Sequence, residues 1–178
     1  MIRKRFTAVA VVLLLNLTGC VTSDHSWEPT NTTPTGGVTS VETELKWQKA
    51  KAQTQAMELE IAKLIPEDKV MKIDQGKTGT LFSCSVTQHN WNGATTVTLS
   101  KGTEAEPLVK AIEAHHGDSR FNTEADHNSV GAYRVQLRSP DTAESYLISA
   151  GWDPHTIRIA SGSACFTLPE GEYPRGDF

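Results

Sequence analysis

The chain has 178 residues, with 17 Lys and Arg against 21 Asp and Glu, giving a net charge of −4. That balance lacks the basic stripe that phosphate binding needs, so nucleic acid is excluded as the expected partner. Only three cysteines, Cys20, Cys84 and Cys165, are available for thiol chemistry or pairing.

The first element is a leader. Arg3, Lys4 and Arg5 precede an apolar run from Phe6 to Leu17, interrupted only by Thr7 and Asn16. A positive start, a short apolar stretch and small residues at its end predict a secretory signal peptide over residues 1–19. A spanning helix needs roughly 20 apolar residues, and this run is shorter. The run ends in Leu17-Thr18-Gly19-Cys20, which resembles the lipobox of bacterial lipoproteins: one aliphatic residue, two small ones, then cysteine. The resemblance implies diacylglycerol on the Cys20 thiol, cleavage before it and a second acylation of the new N-terminus. Two or more acyl chains anchor a protein stably where one does not. The expected location is the extracytoplasmic face of the cell membrane, with lipid as the first partner.

Removing residues 1–19 leaves 14 basic residues against 21 acidic ones, a net of −7. Attachment therefore rests on the acyl chains and not on attraction to anionic lipid. Residues 20–40, the lipidated cysteine and a stretch rich in Thr, Ser, Pro and Gly, are expected to be a flexible tether. Residues 41–178 have the length of one domain.

Residues 41–65 are predicted as a helix, because Trp47, Ala50, Thr54, Met57, Ile61 and Leu64 repeat at spacings of 3 and 4. Thr39 with Glu42 matches a capping box, and Pro66 ends the helix. Ala and Thr at the core positions are weak support for a coiled-coil seam, so a monomer is expected. Three strands follow, at 69–73, 81–89 and around Thr95, Val97 and Leu99. Asn92-Gly93 is taken as the hairpin turn between the last two. Thr103 with Glu106 forms a second capping-box match, opening a helix that carries Leu108, Val109, Ile112 and His116 on one side and stops at Gly117. Strands are then predicted at 119–123, 130–138, 145–152 and 156–161, with Pro140-Asp141 and Asp153-Pro154 at turns. The order α-βββ-α-ββββ predicts an α+β domain, an antiparallel sheet with two helices packed on one face.

With Cys20 consumed by lipid, Cys84 and Cys165 remain as an even pair outside the cytoplasm, and a disulfide is expected. It would close about 80 residues, for roughly 4 kcal/mol in the chain-entropy account. Two buried free thiols are the alternative. A catalytic thiol in Gly162-Ser163-Ala164-Cys165 is disfavoured, since the residue order does not fit a papain-type nucleophile.

From Ile157 to Pro174 a strand, a small-residue turn, Cys165-Phe166 and Leu168-Pro169-Glu170-Gly171 follow one another. This tail resembles the C-terminal signature of actinobacterial LppA-like lipoproteins. The lipobox, the polar tether, Ile65-Pro66 and the mid-chain Cys84 are similar as well. The resemblance implies location, disulfide and fold, and supplies no activity.

Candidate chemistry is sparse. His115, His116 and Asp118, with Asp126 and His127 further on, are the one cluster of metal-ligand types. Neighbouring histidines on a helix point about 100° apart, while the zinc-helix spacing is i, i+4, so no metal or other cofactor is expected. The two histidines are expected instead to complement the helix dipole. No Gly-x-Ser-x-Gly elbow or phosphate loop is present, and no catalytic residue is assigned. Glu58 and Glu60 are taken to point to different sides of the first helix. Trp91 between Asn90 and Asn92, and Trp152 beside Asp153, are the candidate contacts to an envelope protein or glycan; the competing reading folds Trp91 back over the domain, since large aromatics usually bury most of their surface. A non-enzymatic envelope-binding lipoprotein is the leading expectation. An envelope hydrolase or metal-dependent enzyme and a phage-type superinfection-exclusion lipoprotein are the alternatives.

Overall fold

The computed structural model describes residues 46–178 apart from Asp118 and Pro154. The expected leader, the lipobox with Cys20, the tether, the Thr39–Glu42 capping box and residues 41–45 of the predicted first helix lie outside those residues.

Helix α1 is Trp47–Ala62, and its buried positions are Ala50, Thr54, Glu58, Ile61 and Ala62. The 3–4 spacing survives, but its centre passes through Glu58 where the sequence pointed to Met57. After Ala62 the bonds tighten to i→i−3, from Leu64 to Ile61 and from Ile65 to Ala62, before Pro66 stops the helix. A 3₁₀ turn at Glu67–Lys69 leads into β1, Val70–Gln75, followed by β2, Thr80–Ser83, and β3, Gln88–Leu99.

The expected Asn92-Gly93 turn does not exist, because both residues lie inside the twelve-residue β3. The chain reverses at 84–87, where the Ser85 hydroxyl accepts from the amides of Thr87 and Gln88. Gly93 serves another purpose: a Cβ there would fall 2.0 Å from the Trp91 ring. The glycine makes room for an indole laid along the strand.

Helix α2 is Ala105–His116, with Pro107 in its first turn and Gly117 at its C-cap. The second capping box does not form. Glu104 takes the N-cap without a side-chain bond, Thr103 pairs with the Ser100 hydroxyl, and Glu106 pairs with Lys110 at 2.7 Å. The remaining strands are β4, Asn122–His127; β5, Tyr133–Arg138; β6, Ser145–Ala150; β7, Thr156–Gly162; and β8, Phe166–Thr167. Strand β4 lies three residues later than expected and is almost wholly exposed. An edge strand of this kind carries no alternating pattern to read. The two-residue β8 makes eight strands where seven were predicted.

All pairings are antiparallel, in the order β1-β3-β7-β6-β5-β4, with β2 and β8 also paired to β3. Helix α1 packs over β3 and β7, and α2 over β5 and β6, both on one face. The α+β layout expected from the element order is therefore present. The core between the layers includes Ile61, Val97, Ile112, Val135, Ile148 and Ile159. A second cluster joins Ala50, Trp91 and Phe166, with Trp47, Leu81 and Phe178 packed against it.

Cys84 and Cys165 form the expected disulfide, with Cα atoms 6.3 Å apart and a sequence separation of 81. Cys84 sits in the β2–β3 turn and not within a strand. The bond joins that turn to the β7–β8 connection, on either side of the start of β3. Among the described residues no helix is long and apolar enough to cross a membrane.

Candidate functional site

Alternation along each strand sends one set of side chains to the helices and the other to an uncovered face. The register aligns that second set into rows across the sheet. One row runs Asp74, Thr96, Arg158, Ser149, Arg134, Asp126. The next runs Ala94, Ala160, Leu147, Gln136, Glu124, and the one beyond it Thr80, Asn92, Gly162, Ser145, Arg138, Asn122. Small residues thus occupy the middle, at Ala94, Ala160 and Gly162, and taller ones stand around them. The result is a shallow trough floored by methyl, hydroxyl and amide groups.

The four aromatic-site residues expected from sequence separate here. Asn90 and Asn92 lie on the open face, half-buried, with the Asn92 amide donating to the Asn90 side-chain oxygen at 3.0 Å. Trp91 between them points the other way and has no exposed surface. Its indole N–H donates to the Phe178 main-chain oxygen at 3.1 Å, and its amide donates to the Ser163 hydroxyl at 2.9 Å. Trp91 is therefore a core residue and not a ligand contact; the supposed loop that would have exposed it is a strand. Trp152 is 96 % exposed, at the turn between β6 and β7. With Val130 it flanks a hollow of about 610 Å³, floored by Leu147, Ser149 and Ala160 and reached by Arg134 and Arg158.

Charge on this face is unevenly paired. Arg134 grips Asp126 through two bonds, of 2.5 and 2.7 Å, and that hydrogen bonding holds the Asp126 carboxyl below the usual carboxylate range. Asp74 is engaged by Lys72 at 2.9 Å, which lowers its pKa in the same way. Arg158 makes no ion pair or side-chain hydrogen bond with any described residue. It stands between the Trp152 hollow and a second one, of about 660 Å³, that extends toward Asn92 and Phe82.

The histidine cluster does not assemble. His116 is buried and packs edge-on against Phe121, with both ring nitrogens lacking a partner. Burial, reinforced by His115 and Arg120, holds its imidazole below the ordinary histidine range. A neutral ring does not complement the α2 dipole, so His116 does not take the dipole role expected of it. His127 lies on β4 and stacks edge-on with Tyr133 at 5.4 Å. Among the described residues no three His, Cys, Asp or Glu side chains could hold a metal together; Asp118 is not among them.

One residue escaped the sequence. Glu58 is fully buried on α1, and its carboxylate accepts from the Thr95 hydroxyl at 2.7 Å, the Gln75 amide at 2.9 Å and the Ser161 hydroxyl. No cation among the described residues pairs with it. The signal was its place four residues after Thr54 and three before Ile61, on the buried stripe. Its partners come from β1, β3 and β7, so it pins the helix to the sheet. On the same side, a hollow of about 410 Å³ beside α1 is lined by Arg120 and Glu144, whose charges are mutually satisfied by two 2.8 Å bonds.

No protein-family model matches this chain, and no curated protein or solved structure matches it.

Proposed function

We propose that this is a lipid-anchored, extracytoplasmic binding protein, held to the membrane through Cys20 and presenting the open face of its sheet to a component of the cell envelope. The observation that carries the binding role is Arg158, an unpaired guanidinium beside the fully exposed Trp152 on a trough of small residues. An exposed aromatic beside a charged group is the composition found at interaction hot spots. The lipobox Leu17–Cys20 and the positive leader support the location. A disulfide closed across a surface turn supports it too, since such bonds persist in oxidising compartments and are rare in the cytosol. The likeness of the tail to LppA-like lipoproteins points the same way. His116 buried against Phe121 and His127 set apart on β4 against Tyr133 count against the metal-enzyme alternative.

The location is tested by Cys20→Ala with metabolic palmitate labelling and membrane fractionation in a bacterial host. The chain should lose its label and move to the soluble extracytoplasmic fraction. An unlabelled wild-type chain, or a variant that stays with the membrane, would overturn the anchor.

A further inference from the structure

We infer that the trough between Trp152 and Arg158 binds an acidic glycan, with a pyranose ring stacked on the Trp152 indole and the carboxylate of a uronic acid held by the Arg158 guanidinium. This rests on the proposal above that the open face is the binding surface, and it names the ligand class.

Three features favour this ligand. First, charge: Arg158 is exposed and unpaired among the described residues, whereas its neighbour across Ser149, Arg134, is already occupied by Asp126. An open guanidinium fork matches a carboxylate through two parallel bonds. Second, the floor around it is Thr96, Ser149 and Ala160, short side chains that leave room for a flat ring; the Thr96 hydroxyl has no partner among the described residues, and the Ser149 hydroxyl, which donates to the Ala150 carbonyl, can still accept. Sugar hydroxyls need such partners, and the apolar side of the hollow, from Val130, Ala132, Leu147 and Trp152, suits the C–H face of a sugar ring. Third, the two hollows meet at Arg158 and together run along the sheet from Trp152 toward Asn92. An open run of this kind suits several units of a polymer better than a small enclosed ligand. The exposed indole supplies the flat apolar surface on which the C–H face of a pyranose can rest.

The test uses the full chain in detergent and isothermal titration with hexagalacturonate, its fully methyl-esterified form and hexaglutamate. The acid saccharide should bind. The ester and hexaglutamate should each bind at least tenfold more weakly. Arg158→Ala and Trp152→Ala should each lose tenfold or more, with Arg158→Lys intermediate because it lacks the planar fork. Equal binding of the ester would remove the carboxylate, equal binding of hexaglutamate would replace the glycan with an acidic peptide, and no saccharide binding would overturn the ligand class. A sedimentation assay with delipidated envelopes separates the two proposals. If wild type pellets and the Arg158→Ala/Trp152→Ala double variant does not, the open face stands as the binding surface even where hexagalacturonate fails. If both pellet alike, the open-face proposal and the glycan fall together.

Discussion

The two faces of the sheet treat charge in opposite ways. Under α1, Glu58 has no exposed surface and three donors from three strands converge on its carboxylate. On the open face, three residues before Ser161 on β7, Arg158 stands exposed with no partner among the described residues. A buried polar group must be satisfied internally or the fold loses stability. An exposed charge carries no such demand, and its free bonding capacity is available to something outside the chain. The contrast places the buried face in the fold's stability and supports the proposal that the open face is the binding surface.

The largest effects should come from the buried face. Trp91→Ala removes the largest buried side chain and should lower unfolding free energy by about 3–5 kcal/mol in urea titration. Gly93→Ala should cost about 2 kcal/mol on its own by driving a methyl into the indole. In the Trp91→Ala background the same change should cost almost nothing, so the double-mutant cycle reads the contact directly. Additive losses would mean that Gly93 is there for some reason other than the indole.

Next in size is Glu58→Ala, which leaves the Thr95, Ser161 and Gln75 donors without their acceptor. About 3 kcal/mol should be lost, given roughly 1–3 kcal/mol for each buried group left unsatisfied. Glu58→Gln keeps the volume and one carbonyl oxygen and should lose less than half of that. Equal losses for the two variants would show that packing, not acceptance of hydrogen bonds, is what Glu58 provides.

The smallest buried-face effect is a pH dependence. The folded chain holds His116 below the ordinary histidine range, mainly through burial. As pH falls through about 6.5, the unfolded chain takes up a proton that the folded one resists, so stability drops toward acid. Above that pH the ring is neutral in both states and contributes nothing to the slope. His116→Leu should flatten the decline between neutral and mildly acidic pH when unfolding is followed by circular dichroism. An unchanged slope would place the acid sensitivity in another group.

What sequence could reveal follows the same division. Alternation in Tyr133–Arg138 and Ser145–Ala150, and the 3–4 spacing of α1, declare a buried face locally, and those elements were placed within a few residues. The disulfide is legible because Cys84 and Cys165 are the pair left when the lipobox reading takes Cys20, and the expected leader implies an oxidising compartment. Asn92-Gly93 misled because a turn signal and a glycine made small for a neighbouring indole look identical in one dimension. Read as a turn, the pair puts Trp91 at a hairpin tip and shifts the β2–β3 reversal. Glu58 was overlooked because Met57, one position away, is the residue a hydrophobic count prefers. Arg158 carries no signal of its own: in Thr156-Ile157-Arg158-Ile159 it is an ordinary outward position. Its central place between Thr96 and Ser149 depends on β3 pairing with β7 across some sixty residues of chain, and only the strand order reveals it.

The division of labour between the faces is tested most directly by urea unfolding of Arg158→Ala alongside Glu58→Ala. An exposed side chain with no internal partner should be removable at a cost within about 0.5 kcal/mol, while Glu58→Ala loses about 3 kcal/mol. A loss of 2 kcal/mol or more at Arg158 would show that the open face holds the fold together, and would contradict its assignment as a surface kept free for a partner.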